Sequence, residues 1–399
     1  MSGKLILTEL YNRKISAYFK DGQVNELRFH DKSILGNIYI GRVQNVVKNI
    51  DAAFIEIQKG LVCYYSIRDN KNPIFLNKKN NDKVNIGDLM LVQVSKDDVK
   101  TKAPTVTCEI NFAGKYSVLT YGKSHLGISN KIKNEHWKKE FRELCAPFMT
   151  DNIGYVIRTN AKSVLAKDVI DEIALLKEQF EEIFNKAQYL SAFTPVYTNK
   201  ESYITAIRDM YDQSYDEIVT DNLQIYEEIK EYFEKEEVTN LNKLRLYEDK
   251  MLPLYKLYSL EKHIKDALSK NVWLKSGAYL VIEPTEALTV IDVNTGKYDG
   301  KKKSSETYLK INLEAAREIG RQLRLRNLSG IIIVDFIDME DDKDKIKLLE
   351  ELKLIVKDDP IKTTVVDITA LNLIELTRKK VRKPLYEQIK QADLTNKEG

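Results

Sequence analysis

Apolar strands and amphipathic helices alternate through the last third of the chain, and this alternation constrains the fold more than any other feature. The strand patterns lie at residues 279–283, 288–293, 330–336 and 364–368, and the helical patterns at 310–326, 341–357 and from 372 onward. The strand at 330–336 is continuously apolar, which is typical of a buried strand. The pattern predicts an α/β layer with a mostly covered sheet.

The first half of the chain has the period of two that is typical of strands. Residues 1–30 alternate between apolar and polar positions, and Asp21 with Gly22 forms a plausible hairpin turn. Further short strands follow at near-regular spacing, at 37–43, 53–57, 61–65 and 89–94. With a polar loop at 69–85, this spacing predicts a small barrel. Residues 162–189 then repeat apolar side chains every three or four positions, which predicts an amphipathic helix.

Composition sets limits on the class of protein. The 63 basic and 60 acidic residues nearly balance, so any site for a polyanion has to come from local clustering. The cysteines, Cys63, Cys108 and Cys145, are widely spaced and odd in number, which argues against a disulfide framework or a zinc cluster and fits a reducing cytoplasm. No apolar run reaches the roughly 18 residues that span a bilayer, and the N-terminus lacks the pattern of a signal peptide. We therefore expect a cytoplasmic protein with no membrane partner.

Two aspartates stand out by their positions at strand ends. Asp292 lies near the end of the strand at 288–293, and Asp335 lies near the end of the strand at 330–336. Carboxylates at the ends of neighbouring strands can converge, and two of them suit Mg²⁺, which keeps several waters as ligands. From position alone, the alternative is equally good: Asp292 caps a turn and Asp335 caps the next helix.

The helix between these aspartates carries arginines at 317, 321 and 324, which share one face. An arginine stripe beside two carboxylates would suit a phosphodiester substrate, and a solvated basic face is the alternative.

At this point the chain resembles the ribonuclease E/G family. The similar segments of the catalytic, DNase-I-like part of that family are 284–296 (PTEALTVIDVNTG), 312–316 (NLEAA), 321–326 (RQLRLR) and 333–339 (IVDFIDM). The resemblance implies that Asp292 and Asp335 bind a catalytic Mg²⁺ and that Asn294 orients the first aspartate. It also implies products with 5′-phosphate and 3′-hydroxyl ends.

Segments 36–43 (GNIYIGRV) and 51–57 (DAAFIEI) are similar to the OB-fold RNA-binding domain of that family. The resemblance implies that Phe54, Tyr64 and Lys102 contact RNA bases. Without it, Phe54 would more often be interpreted as a core residue.

Segments 112–118 (FAGKYSV) and 156–160 (VIRTN) are similar to the sensor of that family for the 5′ end of RNA. The residues that match its pocket are Gly114, Val118, Arg158, Thr159 and Lys362. The family has arginine at the position of Lys362 and also at a nearby position, which is Asn130 in this chain. Lysine lacks the forked geometry of arginine, so we expect a weaker preference for 5′-monophosphate ends.

The resemblance implies an α/β protein with four parts. These are an RNase-H-like structural subdomain (1–33 and 191–266), an inserted OB-fold RNA-binding barrel (34–113), a 5′-phosphate sensor (114–190) and a DNase-I-like catalytic subdomain (267–399). The family's Cys-Pro-x-Cys zinc motif does not follow 377–383 (TRKKVRK), so we expect no zinc and no zinc-linked dimer, and the sequence leaves the state of oligomerisation open.

The function that we predict is Mg²⁺-dependent endonucleolytic cleavage of single-stranded RNA, in mRNA decay or rRNA processing. Two alternatives are an RNA-binding factor that has lost turnover and a nuclease that acts on DNA. The presence of Asp292, Asn294 and Asp335 argues against the first, and the resemblance to an RNA-binding barrel and sensor argues against the second.

Overall fold

The computed structural model describes residues 3–78, 83–96, 103–210, 215–235, 241–296 and 305–395. The chain divides into two compact units, one made of residues 1–31 and 212–399 and the other of residues 32–211. Within the described ranges, no helix is both long enough and apolar enough to cross a bilayer.

The N-terminal strands form an antiparallel meander: β1 (Gly3–Leu10), β2 (Arg13–Lys20) and β3 (Gln23–His30). Asp21 and Gly22 both have positive φ, 50° and 77°, as the tight turn between β2 and β3 requires. The predicted hairpin is confirmed.

The second unit begins with a closed five-stranded barrel. Its strands are β4 (Ile38–Val47), β5 (Ala52–Gln58), β6 (Leu61–Ser66), β7 (Leu89–Lys96) and β8 (Thr105–Thr107). They pair in the order β4-β5-β6-β8-β7, and β7 pairs back with β4. Gly41 allows this closure, because a Cβ there would lie 2.4 Å from the side chain of Ile55. The barrel predicted from strand spacing is confirmed.

A smaller sheet completes the second unit. Its elements are β9 (Asn111–Ala113), β10 (Ser117–Tyr121), β11 (Leu126–Ile128), α1 (Glu135–Cys145), β12 (Ile153–Ile157) and α2 (Ala166–Ala187), followed by β13 (Pro195–Tyr197) and α3 (Ser202–Asp209). The sheet order is β11-β12-β10-β9, and β13 pairs with β4 of the barrel. The apolar positions of α2 are buried, as the period predicted, although the helix begins only at Ala166 because a 3₁₀ turn occupies Thr159–Ser163.

The chain then returns to the first unit. The next elements are β14 (Glu217–Thr220), α4 (Leu223–Lys235), β15 (Leu244–Leu246), α5 (Leu254–Leu257) and α6 (Leu260–Leu268). β14 pairs with β1 in parallel and gives a five-stranded sheet in the order β15-β14-β1-β2-β3.

A six-stranded sheet forms the rest of the first unit. Its elements are β16 (Asn271–Trp273), β17 (Tyr279–Pro284), β18 (Leu288–Asn294), α7 (Ser305–Leu325), β19 (Gly330–Asp335), α8 (Asp342–Lys357), β20 (Thr363–Ile368), β21 (Ile374–Arg378) and α9 (Leu385–Thr395). The strand order is β16-β17-β18-β19-β21-β20. β18 and β19 run parallel because α7 crosses between them.

One face of this sheet packs on helices, and within the described residues the other face is open. Ile332 and Val334 of β19 lie in one core with Leu323 of α7 and Leu352 of α8. Ile331, which points to the other face, is 51% exposed. The prediction of a continuously buried strand is therefore wrong, because α7 and α8 both pack on the face that carries Ile332 and Val334.

The helix predicted from residue 372 is also wrong. Ile374–Arg378 is the strand β21, which pairs with β19 and β20, and a helix begins only at Leu385. Asn372 has φ 61° and turns the chain back after β20, and Ile374 and Leu376 are then buried at alternate positions of β21.

A buried ion pair fastens the end of β21. Arg378 Nε donates to Asp359 Oδ2 at 2.8 Å, and the two side chains are 1% and 2% exposed. Arg378 Nη1 also donates to the Asn327 side chain at 2.8 Å. The pair therefore ties β21 to the C-terminal end of α8 and to the turn before β19.

Candidate active site

Asp292 and Asp335 lie directly opposite each other in the parallel pair β18–β19. Residues that face each other in this way point to the same side of a sheet, and neighbouring strands are about 4.8 Å apart. Both carboxylates are therefore on the open face, at the carboxyl ends of their strands. The structure brings together the two aspartates that the sequence singled out.

Asn294 fixes the orientation of the first carboxylate. It lies two residues after Asp292 and so on the same face, and its Nδ2 donates to Asp292 Oδ2 at 2.7 Å. This amide hydrogen bond holds one carboxylate oxygen and directs the other away from it.

Negative charge accumulates around Asp335. Partial burial, then the neighbouring charges of Asp292 and Asp338, raise the pKa of the Asp335 carboxyl. A bound divalent cation would relieve this repulsion. No group of three or more acidic, histidine or cysteine side chains that could hold a metal is found in the described ranges, so the site offers a carboxylate pair. Two carboxylates fit Mg²⁺, which takes one or two of them and completes its shell with water.

Asn312, in α7, positions the segment that follows Asp335, and sequence reasoning gave it no role. Its Nδ2 donates to the carbonyl of Ile337 at 2.8 Å, and the N–H of Ile337 donates back to its Oδ1 at 3.1 Å. The side chain is 0% exposed. A polar residue among the apolar positions of a helix was the signal that could have identified it.

The turn after Asn294 is held by a close approach of two backbones. Gly296 has φ +61°, and a Cβ there would lie 2.3 Å from the carbonyl oxygen of Gly277. Glu314 accepts hydrogen bonds from the N–H groups of Lys275 and Ser276 in the facing turn, at 2.8 and 3.4 Å. The hairpin β16–β17 and the carboxylate site are therefore held together.

Two of the three arginines on this face of α7 have partners within the protein. Arg317 pairs with Glu351 at 2.8 Å, and Arg321 binds Glu318 and the carbonyl of Val24. They lie in the C-terminal half of α7, which leads to the start of β19. The five steps from there to Asp335 cover roughly 16 Å at about 3.3 Å per residue. The interpretation of a phosphate-facing stripe beside the carboxylates is not supported.

On the barrel, Phe54 of β5 and Tyr64 of β6 are cross-strand neighbours. Their ring centroids are 6.2 Å apart with an interplanar angle of 77°. Both rings are partly exposed, while Ala53, Ile55 and Tyr65 are buried, so the two rings lie on the outer face. The alternative of Phe54 as a core residue is thus not what the structure shows. Lys102 lies outside the described residues.

Comparison with known proteins decides the family. The model of the ribonuclease E/G family matches residues 111–381. The chain is 31% identical to ribonuclease G of Salmonella typhimurium over 395 residues, which cover 96% of the chain and 81% of that protein. It is 31% identical to ribonuclease G of Escherichia coli K12 over 398 residues, with the same two coverages. It is 34% identical to ribonuclease E of a Nostoc species over 405 residues, which cover 97% of the chain and 57% of that protein.

The chain belongs to the ribonuclease E/G family. It is therefore an enzyme of the ribonuclease E/G type, and the predicted family is confirmed. The match to the family model includes Asp292, Asn294 and Asp335.

Four of the predicted sensor residues of this ribonuclease E/G family member lie in the second unit. Arg158 follows β12, and its Nη1 donates to the carbonyl of Gly114 and to Asp209 Oδ1, each at 2.8 Å. Val118 pairs with Val156 in the same sheet. The hydroxyl of Thr159 lies 2.8 Å from that of Ser129. Lys362 belongs to the first unit.

Two carboxylates shape this sensor region, and sequence reasoning missed both. Glu172 of α2 accepts from the N–H groups of Lys115, Tyr116 and Ser117, and a Cβ on Gly114 would lie 2.4 Å from it. Asp209 binds Arg158 at 2.8 Å and Arg208 at 3.0 Å. Burial alone would raise the pKa of the Asp209 carboxyl, but the positive charges of Arg208 and Arg158 lower it.

The three cysteines are free, buried thiols. Burial raises the pKa of Cys63 to about 12 and, as the largest of several influences, that of Cys108 to about 11; it also raises that of Cys145 to about 11. A neutral thiol is a poor metal ligand. The absence of a zinc-linked dimer remains a prediction.

Proposed function

We propose that this protein is a Mg²⁺-dependent endoribonuclease that cleaves single-stranded RNA and leaves 5′-phosphate and 3′-hydroxyl ends, in mRNA decay or rRNA processing. The observation that carries the proposal is the pair Asp292–Asp335, in register on an open sheet face, in a chain of the ribonuclease E/G family. An open face also suits an extended substrate better than a closed pocket would.

The residues at the candidate site have separate roles. Asp292 and Asp335 would hold Mg²⁺, and Asn294 holds one oxygen of the Asp292 carboxylate in place through its Nδ2. When bound, the ion supplies a more acidic water and neutralises charge on the phosphate. Asn312 keeps the segment behind Asp335 in place through both of its hydrogen bonds to Ile337.

Preference for single strands is supported by the barrel. Phe54 and Tyr64 present ring faces that can stack on bases, and a base must be unpaired to reach them. Because every base has a flat face, stacking contributes to affinity for RNA without selecting a particular base sequence.

The test is incubation with a 5′-monophosphorylated single-stranded RNA in Mg²⁺ or in EDTA. We expect internal cleavage with Mg²⁺, no cleavage with EDTA, and new ends that a 5′-phosphate-dependent exonuclease can degrade. The same sequence as single-stranded DNA is the control. Binding without cleavage would favour a factor that has lost turnover, and equal cleavage of DNA would favour a general nuclease.

Replacing Phe54 with alanine should weaken RNA binding and leave the fold intact. Stacking of a base on an exposed aromatic contributes about 1–3 kcal/mol, or roughly five- to a hundredfold in affinity. The measurements are the Kd for a single-stranded RNA and the thermal unfolding temperature. Phe54→Leu is the matched control, since it keeps apolar volume without the ring: if it restores full affinity, packing and not stacking is the role of Phe54.

Replacing Thr159 with valine should lower cleavage of 5′-monophosphorylated RNA toward the rate for 5′-hydroxyl RNA. Hydrogen bonds to a charged group contribute about 1.5–3 kcal/mol, or roughly ten- to a hundredfold. The 5′-hydroxyl rate should hardly change, because the paired aspartates are untouched. Because Lys362 and Asn130 stand where the family has arginine, we expect the wild-type preference for 5′-monophosphate ends to lie near the lower of these two factors.

Ser129→Ala is the control for Thr159, since it removes the hydroxyl that Thr159 contacts and keeps Thr159 itself. An equal loss in both variants would mean that the contact is structural. Equal wild-type rates on the two RNAs would refute the sensor assignment of Arg158 and Thr159.

A further inference from the structure

An exposed aromatic pair lies on the same sheet as the candidate active site. Trp273, one of two tryptophans in the chain, is 66% exposed. Its ring centroid is 5.0 Å from that of the partly exposed Tyr279, and the ring planes make an angle of 47°. Neither residue has a role in the function proposed above.

The register of the strands places this pair beside the carboxylates. Trp273 of β16 lies opposite Tyr279 of β17, and Tyr279 lies opposite Asn294 of β18. The next row of the same face carries Asp292 and Asp335. At about 4.8 Å per strand, Trp273 is two strands, or roughly 10 Å, from Asn294.

Burial confirms that the row shares one face. Leu280 and Ile282 of β17 lie in the core with α7, so Tyr279, which alternates with them, points to the open side. Trp273 and Asn294, its two neighbours in the row, point the same way. The aromatic pair and the amide of Asn294 therefore form one continuous surface that leads to the carboxylates.

The turn that follows Trp273 is held against the candidate active site. The Glu314 carboxylate of α7 accepts hydrogen bonds from N–H groups of the turn between β16 and β17, and Gly277 in that turn lies against Gly296, two residues after Asn294. Lys275 is exposed in the same turn, two residues after Trp273. A strand of RNA bound on the rings would thus be held at a fixed distance from the site.

We propose that Trp273 and Tyr279 form a stacking platform for the bases next to the scissile phosphate. The inference rests on the proposed function and deepens it, because it names residues that position the substrate at the site itself. Single-stranded RNA is the occupant since its bases present flat faces to the rings, its phosphates suit Lys275, and the surface continues into Asn294 and Asp292.

The experiment pairs Trp273 variants with RNAs that lack one base. Trp273→Ala should raise KM by about five- to a hundredfold, and Trp273→Phe should have a KM close to that of the wild type. A set of single-stranded RNAs, each with one abasic nucleotide, then locates the contact. An abasic nucleotide near the cleaved bond should raise the KM of the wild type and leave that of Trp273→Ala unchanged. An abasic nucleotide at a distant position should affect the two proteins alike. Equal effects at every position overturn the proposal.

A second measurement does not depend on the alanine variant folding. In Trp137→Phe, the fluorescence of Trp273 reports its own surroundings, and titration with RNA in EDTA should quench it. Unchanged fluorescence at saturating RNA overturns the proposal, and so does a dimer in sedimentation that Trp273→Ala dissociates. If the wild type cleaves RNA but Trp273→Ala matches it, the platform alone is refuted. If the wild type cleaves no RNA under any condition, the proposed function fails first.

Discussion

Replacing Asp292 or Asp335 with asparagine should reduce the rate of RNA cleavage by about a thousandfold or more while RNA binding persists. Each change removes one anionic ligand from a pair that lies in register on neighbouring strands. Loss of about 4 kcal/mol of transition-state stabilisation corresponds to roughly that factor. The measurement is single-turnover cleavage at saturating enzyme, with the Kd for the same RNA determined in EDTA.

Asp338→Asn is the matched control for these variants. Asp338 is exposed and adds negative charge near Asp335, but it lies beyond the end of β19 and outside the register pair. We expect a much smaller loss there. Near-normal cleavage by Asp292→Asn or Asp335→Asn would exclude the metal assignment.

Replacing Arg378 with methionine should lower the free energy of unfolding of the first unit by about 3–5 kcal/mol, because the carboxylate of Asp359 stays buried without its partner. Asn327 would lose a hydrogen bond as well. Urea unfolding followed by Trp273 fluorescence in a Trp137→Phe background reports on this unit, since Trp137 belongs to the other.

Arg317→Met provides the comparison, because it breaks an ion pair with Glu351 whose side chains are 63% and 30% exposed. Exposed pairs contribute about 0–1 kcal/mol. Similar losses in the two variants would mean that burial of the Arg378–Asp359 pair has no special weight.

Local patterns predicted the elements whose partners are close in sequence. The Asp21–Gly22 turn, the barrel strands and the helix α2 follow from residue preference and period. The residues from 372 onward misled, because leucine and isoleucine fit a helix or a strand equally well. What decides between them is pairing with β19, which begins more than 40 residues earlier at Gly330.

The site was predictable in its residues but not in its supports. Asp292 and Asp335 stand out because an acidic residue at the end of an apolar strand needs a reason. Asn312 and Glu314 act through backbone groups of distant segments, which no spacing rule reveals. Arginines at helical spacing gave a misleading signal, since their partners Glu351 and Val24 are visible only in three dimensions.

The parallel register of β18 and β19 has a consequence for insertions and deletions. A segment of more than 30 residues, of which α7 is the largest described part, separates the two strands, and its length can change while both strands keep their places. Inside 288–291 the loss of a single residue would turn Asp292 and Asn294 into the apolar core and bring Ile291 or Val293 to the surface. Among relatives, we therefore expect length changes to collect in the crossover and to be excluded from the four positions that precede Asp292.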